Sequence, residues 1–262
     1  MKKLIFYTDL DGTLLNHHDY CWQDAASTIS RLKELGYPIV FNTSKTLKEV
    51  QLLQKETDIH DPFVIENGGA VWIPENYFQG EPGRLIILGK DSQTILDKIE
   101  PLRDKYKFES FSQMSVERIA ELTDLSLDDA AKSSQRLCSE PLIWEDDREK
   151  IDLFQNDLME LGFDLLKGGR FFHITGFSGK GDALNFLHKL YKNEHPATEV
   201  VSVALGDSPN DLSMLEQAEI AVVIPRADNT HMKPQNENII YAESKGALGW
   251  SVSVQKILTD NF

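Results

Sequence analysis

Cysteine is scarce in this chain: Cys21 and Cys138 are the whole complement among 262 residues. Neither belongs to a C-x-x-C or Cys/His spacing, which argues against a zinc site and against a disulfide framework and leaves two buried or idle thiols in a reducing compartment. Long apolar runs are missing too. No stretch approaches the roughly 20 apolar residues of a membrane span. The opening Lys2-Lys3-Leu4-Ile5-Phe6-Tyr7 imitates the start of a signal peptide, but Asp9 and Asp11 interrupt it almost at once. A cytoplasmic protein is expected, with no membrane partner. Positive charge is the third shortage, with 27 Lys and Arg against 42 Asp and Glu and a net charge of −15. That balance argues against nucleic acid and anionic membranes as partners, so a site for an anion must gather the few cations there are. Internal repeats and low-complexity linkers are also absent.

What remains is a soluble globular composition, 41% hydrophobic and 26% charged, long enough for a sizeable core. The chain is organised around Phe6-Tyr7-Thr8-Asp9-Leu10-Asp11-Gly12-Thr13, a short apolar run that stops at two carboxylates one residue apart. Two like charges on one strand face at the rim of a core need a cation between them, and Mg²⁺ suits a few carboxylates plus phosphate oxygens. Taken alone, D-x-D-G reads equally well as a solvated turn.

Helix and strand then alternate. Ala25 to Leu35 has helical spacing, and Tyr37 to Phe41 reads as a strand ending in Asn42-Thr43-Ser44-Lys45-Thr46. Hydroxyls and amides between a strand end and the helix Leu47 to Lys55 can seat a phosphate, or Thr43 or Ser44 can simply cap the helix. Pro62 to Ile65 is a third strand, and Asn67-Gly68 reads as a plain hairpin turn leading to Ala70 to Ile73. From Arg84 to Lys167 the strands lose their acidic turns, which suggests a small α+β insert. The expected division is residues 1–83, first part of the core; 84–167, the insert; and 168–262, second part of the core.

Gly168 to Thr175 is expected as a strand. After it, Gly176 to Gly181 imitates a Walker loop but is too short for G-x-x-x-x-G-K-[ST]. Lys180 is left at a helix start, a poor place for a cation unless an anion faces it. Val200 to Leu205 is the clearest buried strand, and Gly206-Asp207-Ser208-Pro209-Asn210-Asp211 follows it. In a doubly wound parallel α/β sheet, ligands bind outside the carboxyl ends of the strands. Asp9/Asp11, Thr43/Ser44, Lys180 and Asp207/Asp211 would converge there.

In that order the four clusters resemble the motifs of the haloacid dehalogenase superfamily, with the insert placed as in members that carry the C2 type of cap. More narrowly, the chain is similar to the mannosyl-3-phosphoglycerate phosphatases through Thr43-Ser44-Lys45-Thr46, Glu66-Asn67-Gly68, Ser139 to Trp144, Gly169 to His173 and Ser178 to Asp182. The resemblance implies a Mg²⁺-dependent phosphatase that acts on a phosphorylated glycosyl-glycerate, in mannosylglycerate synthesis, through an aspartyl phosphate. It gives Asp9 as nucleophile and Asp11 as general acid and base. Thr43 and Lys180 would be the phosphoryl ligands, and Asp9, Asp11, Asp207 and Asp211 the metal group, with a backbone carbonyl of Leu10 or Asp11 as a further ligand and Asp211 orienting. For the substrate carboxylate Arg170 is the first candidate, because a guanidinium grips a carboxylate at two points. Ser44, Lys45, Gln135, Arg136, Ser139 and His173 complete the expected substrate group. A less selective sugar-phosphate phosphatase, a phosphohexomutase and a phosphate-sensing module are the alternatives.

Overall fold

The structure, a computed structural model, describes residues 2–78, 80, 82–168, 170–176 and 178–260. Gly169 and Phe177, which fall inside the motif stretches above, lie outside the described residues. The first part of the chain runs β1 (Lys2–Thr8), α1 (Ala26–Glu34), β2 (Ile39–Phe41), α2 (Leu47–Thr57), β3 (Phe63–Ile65), β4 (Ala70–Ile73) and β5 (Arg84–Ile87). The middle comprises α3 (Ser92–Ile99), β6 (Phe108–Ser110), α4 (Val116–Thr123), α5 (Leu127–Ser133), β7 (Ser139–Trp144), α6 (Ile151–Glu160), β8 (Phe163–Lys167) and β9 (Phe172–Gly176). The last part is α7 (Lys180–Glu194), β10 (Glu199–Gly206), α8 (Leu212–Gln217), β11 (Ile220–Val223), β12 (Ile239–Tyr241) and α9 (Gly246–Asp260).

β1 is apolar at every position from Leu4 to Tyr7 because both of its faces are covered, as parallel strands require. Leu4 and Phe6 pack with Ile29 and Leu32 of α1 and Trp250 and Val254 of α9. Ile5 and Tyr7 pack on the other face, with Leu184 and Leu187 of α7 and Met214 of α8. The five-stranded sheet has the order β12-β11-β10-β1-β2, and every pairing is parallel. This is the α/β fold with helices on both faces that the strand and helix alternation predicts. A bridge from Asn42 to Val64 continues it to the antiparallel sheet β3-β4-β5.

A separate antiparallel sheet, β6-β7-β9-β8, packs its own core of Ile95, Leu142, Phe154, Phe163 and Ile174. The expected bounds of the insert, 84–167, do not coincide with the sheet edges. β5 starts at Arg84 but is hydrogen-bonded to β4, on the side of the first sheets. β9, expected in the second part of the core, pairs with β7 and β8 instead, so the insert's sheet extends to Gly176. Helix α3 stops at Ile99, where Pro101 turns the chain into a 3₁₀ segment, Glu100–Asp104.

Candidate active site

Two acids are placed by strand register. β1 and β10 are neighbours with Thr8 opposite Leu205, and the Asp9 N–H donates to Leu205 O at 2.9 Å. Asp9 therefore leaves the sheet beside the Gly206-Asp207 turn, and both carboxylates are buried. Gly12 completes the approach: it has φ +84°, and a Cβ there would lie 2.7 Å from Asp207 Oδ2. Thr13 Oγ1 donates to Asp207 Oδ1 at 3.0 Å.

Lys180, the first residue of α7, sends a buried Nζ between Asp9 Oδ1 and Asp211 Oδ1, 2.6 Å from each. Burial opposes its charge, and Asp211 and Asp9 outweigh burial, so Lys180 is held well above the ordinary lysine range. Asp9, Asp207 and Asp211 each present an oxygen within 4.8 Å of the others. Burial, then the Asp211 charge, raises Asp9 well above the carboxylate range and pushes Asp207 up to about 7. Three buried carboxylates against one lysine leave excess negative charge, and a hard divalent cation fits that donor set. Asp211 is the most committed of the three, since its Oδ2 also accepts from the N–H groups of Asp207 and Ser208.

Asp11 does not join that trio. Its carboxylate faces Lys45, with Nζ at 2.9 Å, and the Lys45 ammonium lies over the Tyr20 ring. The expected side-by-side convergence of Asp9 and Asp11 fails because the chain turns directly after Asp9 and is no longer a strand at Asp11.

The hydroxyl turn separates into roles. Thr46 is the N-cap of α2, in a reciprocal capping box with Glu49, so Thr43 and Ser44 have no capping duty. Thr43 is buried with its Oγ1 accepting from the Lys45 N–H at 3.2 Å, whereas Ser44 and Lys45 line a cavity of about 490 Å³. Asp9 and Asp11 line the same cavity, and so do Arg136, Arg170 and His173 from the insert.

Other expected substrate groups are distributed differently. Arg170 reaches the wall, but its Nη1 is paired with Asp124 Oδ2 at 2.9 Å and its side chain is 55% exposed. Ser139 donates to Glu66 Oε2 at 2.7 Å, and Gln135, exposed, donates back to Ala131 O in its own helix region. Both are structural contacts. His173 lies on the cavity side of β9, and Arg136 holds Ser44 O at 2.8 Å across the boundary between insert and core.

Two participants were missed in the sequence. Asn67, read as a plain hairpin residue, lines the cavity in the left-handed region, φ 60°, and accepts from Asn210 Nδ2 at 2.8 Å. Its signal was the Glu-Asn-Gly turn beside the same sheet edge. Glu66, also left-handed, is fully buried and accepts from Leu137 N, Cys138 N and Ser139 Oγ, which fastens the start of β7 to the core.

The family profile described as haloacid dehalogenase-like hydrolase matches residues 6–155, and that described as sucrose-6F-phosphate phosphohydrolase matches residues 166–252. A glucosyl-3-phosphoglycerate/mannosyl-3-phosphoglycerate phosphatase of Persephonella marina is 40% identical, with 98% of this chain and 98% of that protein covered. One of the same name from Methanococcoides burtonii is 33% identical over 100% of this chain and 99% of its own length. Among solved structures, a haloacid dehalogenase-like hydrolase from B. subtilis superposes with a TM-score of 0.66 at 19% identity, both chains covered completely at 100%.

Proposed function

The chain belongs to the haloacid dehalogenase-like hydrolases, and from that premise we propose that it is a phosphoric monoester hydrolase that converts mannosyl-3-phosphoglycerate, with its glucosyl counterpart, to the glycosylglycerate and phosphate. Full-length likeness to two phosphatases of that name supports the substrate. The observation that carries the chemistry is the buried Asp9 carboxylate, held by Lys180 and lining a cavity large enough for a sugar phosphate.

In this reading an Asp9 oxygen attacks phosphorus, the P–O bond to the glycerate breaks, and Asp11 gives the departing alkoxide its proton. Asp11 then takes a proton from water, whose oxygen attacks the phosphorus of the aspartyl phosphate and frees Asp9. Lys180 follows the charge on the transferring phosphoryl group, and Asp211 holds Lys180 at its station. The Ser44 turn, with Thr43 supporting Lys45 from below, faces the same group. Asp9 and Asp207 would hold Mg²⁺, with Asp211 behind them; when bound, that ion supplies the positive charge that offsets repulsion between carboxylate and phosphate. We place the specificity-determining cap between Leu88 and Gly176, and the enzyme in the cytoplasm.

A broader sugar-phosphate phosphatase is the second reading, favoured by the sucrose-6F-phosphate phosphohydrolase match over residues 166–252. Phosphate release from mannosyl- and glucosyl-3-phosphoglycerate, sucrose phosphate and simple hexose phosphates separates the two. Preference for the glycerate esters upholds the first reading, and comparable kcat/KM across the panel overturns it.

A further inference from the structure

Two cations of the cavity wall are already neutralised: Lys45 faces Asp11 at 2.9 Å, and Arg170 faces Asp124 at 2.9 Å. Lys167 is exposed at the end of β8. Arg136 differs from all three. It is half-buried, and its Nε and Nη1 donate to Ser133 O and Ser44 O, both at 2.8 Å. Carbonyls orient a guanidinium without cancelling its charge. Of its five N–H donors, the two on Nη2 have no partner among the described residues, and the Phe111 ring backs the group at 6.0 Å.

His173 faces the same cavity. It is only 9% exposed, and its Nδ1 is buried without a hydrogen-bond partner among the described residues. A buried orphan of this kind costs stability unless something completes it. Gly168 lets the ring sit close against the chain, since a Cβ there would stand 2.9 Å from His173 Nε2. Burial, reinforced by the Arg136 charge, keeps the imidazole neutral by pulling its pKa down to about 3. A neutral ring can donate one hydrogen bond to an anion while Arg136 provides the charge.

We propose that Arg136, with His173 beside it, is the subsite for the substrate's carboxylate, and that Arg170 instead ties the start of β9 to Asp124. This rests on the phosphatase reading above. The carboxylate would take the unpartnered guanidinium N–H groups and the His173 ring together. Because Arg136 also holds the Ser44 carbonyl, occupancy of the subsite would report directly to the turn that faces the phosphoryl group.

The test measures kcat/KM on mannosyl-3-phosphoglycerate and on the matching mannosylglycerol 3-phosphate, in which a hydroxymethyl replaces the carboxylate. Arg136→Gln is expected to lose about 30-fold to 1,000-fold on the first ester and less than about 5-fold on the second. Arg136→Lys should keep the melting temperature and recover part of the loss, because an ammonium lacks the planar fork. His173→Gln should show a smaller loss of the same selectivity, and Arg170→Ala should treat both esters alike. Equal losses in Arg136→Gln on both esters, or none on either, overturn the subsite. If the wild type releases phosphate from neither ester, the phosphatase reading falls and the subsite is decided by calorimetry with mannosylglycerate. Binding at least about 10-fold weaker in Arg136→Gln then supports it, and equal binding overturns it.

Discussion

Lys180 and Asp9 form an ion pair of 2.6 Å in which both side chains are buried, and the same ammonium is 2.6 Å from Asp211. Removing the lysine strands two carboxylates away from water. Lys180→Met should therefore abolish turnover and destabilise the fold by about 3 to 5 kcal/mol, the scale for breaking a buried pair. Denaturant melts check this. Because Asp9 and Asp207 are proposed to hold Mg²⁺, added Mg²⁺ should restore part of the lost stability but none of the activity.

The metal-free site makes a pH prediction with a definite sign. Asp207 is raised from its ordinary value to about 7, by burial first and the Asp211 charge second. A group whose folded pKa lies above its unfolded one stabilises the protonated fold, and that stability is lost as pH rises from about 4 through about 7. Melting temperatures in a chelator should fall across that window. Saturating Mg²⁺ should remove most of the decline, since the cation takes the place of the proton. His173, lowered to about 3, slopes the opposite way, losing stability as pH falls below about 6.5. The informative quantity is thus the difference between the two metal states. Identical slopes with and without Mg²⁺ would refute a shared proton and metal site.

Asp11 is paired with Lys45 and stands apart from the Asp9, Asp207 and Asp211 cluster. Its proposed duty is proton transfer, so Asp11→Asn should slow esters with alkoxide leaving groups by about 100-fold or more. An activated aryl phosphate, which leaves without a proton, should lose much less in its phosphorylation step. Single-turnover rates on the two ester types make the comparison, and equal losses would remove Asp11 from that role.

Much of this site was legible in the chain because its anchors are local. An apolar strand that ends in Asp9, and another that ends in Gly206-Asp207, need only the rule that parallel strands share a carboxyl edge. The one-strand argument that put Asp9 and Asp11 on a common face failed at the first residue outside the ladder. Read from the sequence, Arg170 stands ahead of Arg136 because the partners that distinguish them, Asp124 and Ser44, are distant in the chain: Asp124 neutralises one guanidinium, and the Ser44 carbonyl, with that of nearby Ser133, holds the other. β9 was misplaced for a similar reason, since its place beside β7 and β8 depends on a core that its Ile174 shares with Leu142 and Phe154, residues distant in the chain. Asn67 looked like an ordinary hairpin residue because its left-handed backbone serves a turn and a cavity wall at once.

Glu66 is a prediction about stability alone. Its carboxylate satisfies two N–H groups and one hydroxyl at the start of β7, all within 3.0 Å. Glu66→Ala leaves those buried donors without an acceptor, a loss of about 3 kcal/mol or more. Glu66→Gln should cost less, because one amide oxygen remains. If chemical denaturation finds both variants as stable as the wild type, the buried carboxylate does not fasten the cap to the core.

The central claim is that Asp9 becomes phosphorylated by a glycosyl-3-phosphoglycerate. The direct measurement is acid quenching of the enzyme during turnover of mannosyl-3-phosphoglycerate with Mg²⁺, followed by mass spectrometry of the peptide that carries Asp9. One phosphoryl group on Asp9, present in the wild type and absent in Asp9→Asn, is the predicted result. Sustained phosphate release by Asp9→Asn, with no phosphoryl group on that peptide in any variant, would contradict it.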